Sequence, residues 1–124
     1  EIRTPDTASE VLRAATSGHL VLSTIHANNI TDAINSVVKY ASSTSMSEEL
    51  AYDLFSRGML GVLHQTLNGV ERKIPLVSYL FANPDSTKGD QVRGIIKTGK
   101  LNLATSIETQ MTRMARGKNI FPDL

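Results

Sequence analysis

No cysteine and no tryptophan occur among the 124 residues. Without cysteine there is no disulfide and no thiolate-bound metal, and the composition fits a reducing compartment. Aromatic residues make up 5% of the chain, too few for the stacking platforms that bind single-stranded nucleic acid. No apolar run reaches the ~18 residues of a membrane-spanning helix, and no signal peptide is visible. What remains is one domain, or a piece of one, with ordinary apolar content (40%) and enough length to bury a core.

The net charge of +1 is unevenly spread. Residues 1–62 carry four bases against seven acids, a balance of −3; residues 63–124 carry nine bases against five acids, a balance of +4. A basic half fits an anionic partner such as nucleic acid, or simply a solvated face. The chain opens on Glu1-Ile2-Arg3 with no methionine, and reads as a protein entered in the middle.

Thr4-Pro5-Asp6 is a helix start: Thr4 can cap, Pro5 suits the first helical position and Asp6 complements the dipole. Ala8, Val11, Leu12 and Ala15 recur at helical spacing, and Gly18 is the expected stop, so residues 5–17 should form a helix. Leu20 to Ile25 reads as a strand whose apolar residues fall on both faces, the pattern of a parallel strand covered by helices on either side. Asn28 or Asn29 then caps a helix with the stripe Ile30, Ala33, Ile34, Val37, Val38 and Ala41. Ser45 and Glu48 have capping-box spacing, predicting a helix from about Met46 to Arg57 that buries Leu50, Leu54 and Phe55. Val62 to Leu67 and Ile74 to Phe81 read as a hairpin turning at Asn68-Gly69. After a break at Asn83-Pro84-Asp85-Ser86 come a short helix ending at Gly99 and another over about Leu101 to Met114. A loosely held tail is expected from Arg116 to Leu124. Helix, strand and helix alternate at the front in the α/β manner.

The stretch Gly18-His19-Leu20-Val21-Leu22-Ser23-Thr24-Ile25-His26 begins and ends its apolar run on a titratable side chain. If Glu1 ends a strand, the helix over 5–17 brings the chain back beside it, in a right-handed crossover. Glu1 and His26 then share the carboxyl-end edge, where open α/β sheets bind ligands. His19 falls at the other edge, about 23 Å away at ~3.3 Å per residue, so the two histidines cannot hold one metal within a subunit. His26 is thus either a ligand-facing residue or an incidental one. His19 reads as a strand cap or a subunit contact, and His64, inside a hairpin strand, as structural.

This ordered series resembles the C-terminal half of the secretion ATPases that serve type II secretion, type IV pili and type IV secretion. The likeness is nearest to the pilus-retraction enzymes and the type IVB (Dot/Icm or conjugative) branch. In that family the Walker B strand ends in Gly-Glu, then Ile or Met, Arg and Asp; Glu1-Ile2-Arg3 match, and Thr4 replaces Asp. Ser17 to His26 match the family's histidine box, and weaker echoes run through Gln65-Thr66-Leu67, Val92 to Lys100 and Thr105 to Thr109. The resemblance implies an α/β fold, the C-terminal part of a RecA-like P-loop ATPase core. Residues 1–82 would form that partial core and 83–124 a helical C-terminal region of the same domain. It implies a homo-hexamer that uses ATP and Mg²⁺, cytoplasmic and peripheral at the inner membrane, partnered by a secretion or pilus platform protein. No direct membrane span is expected, nor nucleic acid as a partner.

By the same likeness Glu1 would be the catalytic carboxylate, orienting or deprotonating the attacking water near the nucleotide's Mg²⁺. His26 and Thr24 would sense the nucleotide phosphate. Gly18 and His19 would serve the subunit interface or the structure of the box, and no side chain here would ligate the metal directly. A G-x-x-x-x-G-K-[ST] cradle is missing: Gly99-Lys100 leads into Leu101. These residues alone are therefore expected to hydrolyse nothing, the enzyme being the parent protein. Two other readings stay open: a DNA-handling RecA-like ATPase, favoured by the basic half, and a non-catalytic interaction module, favoured by the missing cradle.

Overall fold

The computed structural model describes residues 1–44, 46–85 and 90–121. Helix α1 spans Pro5–Thr16 and starts as expected, with Thr4 Oγ1 accepting the Thr7 amide, Pro5 in the first turn and Asp6 beside it. It ends through Ser17 into Gly18, whose φ of 93° lies in the left-handed region that glycine tolerates. Helix α2, Ile30–Ser42, is capped by Asn29 rather than Asn28: Asn29 Oδ1 accepts the Asp32 amide at 2.8 Å. All six residues of its predicted stripe are buried.

Helix α3 spans Glu48–Gly58, two residues later than the pattern suggests, and its cap is Ser47, whose hydroxyl accepts the Leu50 amide at 3.1 Å. The expected capping residue Ser45 lies outside the described residues. The buried face of α3 also differs from expectation. Ala51, Tyr52 and Leu54 are buried, Phe55 is half-buried, and Leu50 is exposed. Because α3 packs on α1 and α2 as well as on the later helix over Gln91–Thr98, its inward stripe includes residue 52 and leaves residue 50 outside.

Strands β1 (Gly61–Asn68) and β2 (Ile74–Phe81) pair antiparallel, Gly61 opposite Phe81 and Asn68 opposite Ile74. They are the only sheet among the described residues. The base of the hairpin enters the core through Leu80, while Leu63, Leu67, Ile74 and Leu76 are exposed. Helix α4 (Gln91–Thr98) is capped by Asp90 and stops at Gly99, φ 76°. Helix α5 (Ala104–Ala115) starts later than expected, because the chain first makes tight turns, the Asn102 amide donating to the Lys100 carbonyl (2.9 Å) and the Leu103 amide to that of Leu101 (3.0 Å). Arg116 to Asn119, expected to hang loosely, is tied back onto α5. The Lys118 amide donates to the Arg113 carbonyl (2.9 Å) and Arg113 Nε to the Asn119 carbonyl (2.7 Å).

The largest departure is at residues 20–25, expected as a strand covered on both faces. They belong to no sheet, and their one backbone hydrogen bond to another segment, among the described residues, runs from the Ile2 amide to the Thr24 carbonyl (2.8 Å). Leu20 and Leu22 are 75% and 91% exposed, Val21 is half-buried, and Ile25 is half-buried and packs against the core. A sheet strand needs a ladder of partners, and the described residues supply a single bond and one covered face. The α1 return is nevertheless made, since residue 2 lies beside residue 24. One hydrophobic cluster unites Ile2, Leu12, Ile34, Val38, Leu54, Leu80, Ile96 and Leu103, so the front helices, the hairpin base and the back helices share a core. The fold, mixing helices with a small antiparallel sheet, is of the α/β class.

Candidate functional site

The site is built where α1 returns the chain to its own beginning. The Ile2–Thr24 hydrogen bond places Glu1 near the end of the extended segment that finishes at His26. Arg3 Nη2 lies 2.9 Å from Glu1 Oε2. The Arg3 guanidinium holds the Glu1 carboxyl below its ordinary value, and a positive charge on His26 pulls weakly in the same direction. Glu1 in turn raises the Arg3 guanidinium above its usual value. Both groups face solvent, where ion pairs are screened and contribute little to stability. Glu1 is thus an ionised, accessible carboxylate with His26 within its electrostatic reach.

Beyond His26 the chain turns through Ala27 and Asn28 into the Asn29 cap of α2. The Ala27 carbonyl accepts a hydrogen bond from His64 Nε2 at 2.9 Å. In front of this turn lies an open cleft of about 390 Å³ lined by His26, Asn28, Asp32, Asn35, Ser36 and Lys39, a set able to donate to an anion and accept from water. Asn35 is oriented from behind, its Oδ1 accepting the Tyr52 hydroxyl at 2.9 Å. Burial raises the Tyr52 phenol above its ordinary pKa, with the nearby Glu48 carboxylate adding to the effect.

The site residues expected from sequence divide into two groups. Glu1, Thr24 and His26 fall toward the same end of the extended segment; Thr24 gives its carbonyl to Ile2 and is exposed. Gly18 and His19 stay at the other end. Gly18 makes the turn out of α1, and His19 Nδ1 lies 3.4 Å from Ser17 Oγ with its ring exposed. His64 was expected to be structural, and it does fasten two backbones together. Its partner, 37 residues away, could not be read from spacing. Lys39, Asp32 and Asn35 were also missed: they fall between the stripe positions of α2, where a polar residue reads only as solvated surface. No group of three His, Cys, Asp or Glu suited to a metal occurs among the described residues. No helix among them is long and apolar enough to cross a membrane.

Fold and site together define an α/β protein with an acid and an imidazole at the end of one extended segment. Residues 1–76 match the family model described as type II/IV secretion system protein. The chain belongs to that family, the family of secretion and pilus ATPases. Its fold matches a crystal structure of the pilus retraction motor PilT with bound ADP, at a TM-score of 0.63 and 24% identity. The match covers 97% of this chain and 31% of the motor's, so the 124 residues span about a third of that protein's length. No curated protein sequence matches the chain.

Proposed function

We propose that the protein containing these residues is a ring-forming ATPase, a homo-hexamer that hydrolyses ATP to drive type IV pilus retraction or type II or type IV secretion. The observation that supports the reading is the Ile2–Thr24 hydrogen bond, which sets Glu1 beside the segment that ends at His26 and its polar cleft, in a chain of the secretion ATPase family. Residues 1–82 would contribute part of the ATPase core and residues 83–124 its helical C-terminal region. Such a motor would work in the cytoplasm against an inner-membrane platform protein.

In phosphoryl transfer the protein mainly positions groups and stabilises charge. Glu1 suits the first task. As an ionised, accessible carboxylate, Glu1 would orient the attacking water by accepting its hydrogen bond or would take its proton. Glu1, accessible and ionised, fits Mg²⁺ carried in with the nucleotide. The ion would supply charge neutralisation on the phosphates. His26 would donate a hydrogen bond to the phosphate edge, with Thr24 beside it, and Gly18 and His19 would face the neighbouring subunit. Since the phosphate cradle and its lysine are absent from these 124 residues, the segment alone should be inactive.

The test is Glu1→Gln in the full-length parent. ATP turnover should fall by about a hundredfold or more, in line with the loss of a group acting directly on the reaction. ATP affinity should stay within about twofold, because the substitution removes a charge but no phosphate contact. Equal turnover by mutant and parent would show that another group does this work.

A further inference from the structure

We propose that His64 is a positioning residue for this site. By donating from Nε2 to the Ala27 carbonyl, it fixes the turn that presents His26 and Asn28 to the polar cleft. The inference rests on the nucleotide-site reading above and adds to it a mechanical link between the site and the β1–β2 hairpin.

The link has a fixed end. At the base of the hairpin Leu80 is fully buried, and the Ala82 amide donates to the Leu60 carbonyl at 3.0 Å. Gln110 on α5 clamps Phe81 from both sides: its Oε1 accepts the Phe81 amide and its Nε2 donates to the Phe81 carbonyl, each at 2.8 Å. His64 lies three residues from the β1 start, opposite Ser78, and its half-buried ring points from this anchored base toward the turn.

The other end is free without it. Among the described residues, the bond from His64 is the one hydrogen bond that holds the backbone between Thr24 and Asn29. On either side the chain is pinned by the Ile2–Thr24 bond and by the Asn29 cap. Ala27 is half-buried, so an unpaired carbonyl there would turn toward water. That rotation would carry the flanking His26 and Asn28 with it. Imidazole Nε2–H can donate in the neutral tautomer and in the imidazolium alike, so the device is an anchor and not a pH switch.

The experiment uses the full-length protein with His64→Leu, which keeps bulk but has no donor, and His64→Gln, whose amide nitrogen sits close to the position of imidazole Nε2. With His64→Leu, kcat for ATP should fall about tenfold, the scale for losing a group that orients a site residue, with KM within about twofold. Hydrogen exchange should accelerate at the Ile2 and Asp32 amides, which are bonded to Thr24 and Asn29 on either side of the turn, while α1 and α3 keep their protection. His64→Gln should restore both readouts. Unchanged kcat in His64→Leu overturns the proposal, whether or not local exchange rises; so does a general loss of protection across the helices, which would make His64 merely structural. Should the parent show no ATP turnover at all, the functional reading fails separately. The anchor is then decided by exchange alone: protection lost locally in His64→Leu and regained in His64→Gln upholds it, and no difference between the two overturns it.

Discussion

Arg93 and Glu1 are both charged residues with an ion-pair partner in the chain, yet they live in opposite surroundings. Arg93 donates to the carbonyls of Ser56 (2.7 Å) and Arg57 (3.1 Å) at the end of α3 and to that of Asn83 (3.0 Å). Its Nε faces Asp90 at 3.3 Å, as an ion pair rather than an aligned hydrogen bond, and the two side chains are only 14% and 5% exposed. Asp90 meanwhile accepts from the Asn83 and Val92 amides. Every part of that junction is spoken for by the chain itself. At the other region, Glu1 and Arg3 pair in solvent, and the segment leading to His26 carries few bonds. The contrast separates charges used to hold the molecule together from charges left accessible to something else.

Four changes would break or sharpen that contrast. Arg93→Met should have the largest effect on stability, about 3 kcal/mol, because it uncovers three carbonyls and leaves the buried Asp90 without its cation. Thermal unfolding of the full-length protein checks it, and a negligible shift would mean the junction is as dispensable as the surface pair. His26→Ala should lower ATP turnover by roughly tenfold to a hundredfold, more than His64→Ala does; the reverse ranking in a steady-state assay would remove His26 from the site. Gln110→Ala leaves the Phe81 amide and carbonyl without their partner and should cost about 1–2 kcal/mol, measurable as a lower unfolding midpoint.

Arg3→Ala should have the smallest effect, and its sign is definite. The Glu1 pKa is depressed chiefly by Arg3, so losing the guanidinium lets it rise toward its ordinary value. Any stability from the pair is present above the ordinary carboxylate pKa and is lost as pH falls through the depressed one. The acid limb of the turnover profile should therefore move to higher pH, with activity near neutrality little changed. A pH–rate series shows it, and an acid limb that stays in place would detach Glu1 from that limb.

The local signals that could be read from sequence were those in which neighbours decide the outcome. Thr4 and Pro5 opened α1, the stripe Ile30 to Ala41 set the buried face of α2, and the hairpin formed over the expected residues. The return of the chain beside its own beginning, Ile2 against Thr24, was also legible, because one helix of known length between two extended stretches leaves the chain little choice but to return. The buried face of α3 was not, since it depends on contacts with α1, α2 and α4 together. Nor could local periodicity show that Leu20 and Leu22 are exposed, because an apolar run looks the same whether or not its neighbours are there to cover it. The ties made by His64 and Gln110 span 37 and 29 residues and those of Arg93 run from 10 to 37, and side chain–backbone bonds of that reach leave no periodic trace.

Tyr52 gives the molecule an optical handle. With no tryptophan and three tyrosines in these 124 residues, ultraviolet emission from this segment is dominated by phenol rings over the weaker phenylalanines. Of the three, Tyr52 carries the hydroxyl bonded to Asn35, on the wall of the polar cleft, and its ring packs against Gly99 at the end of α4. An occupant that draws Asn35 forward frees that hydroxyl and alters its quenching, so intrinsic fluorescence would register events in the cleft without any added dye.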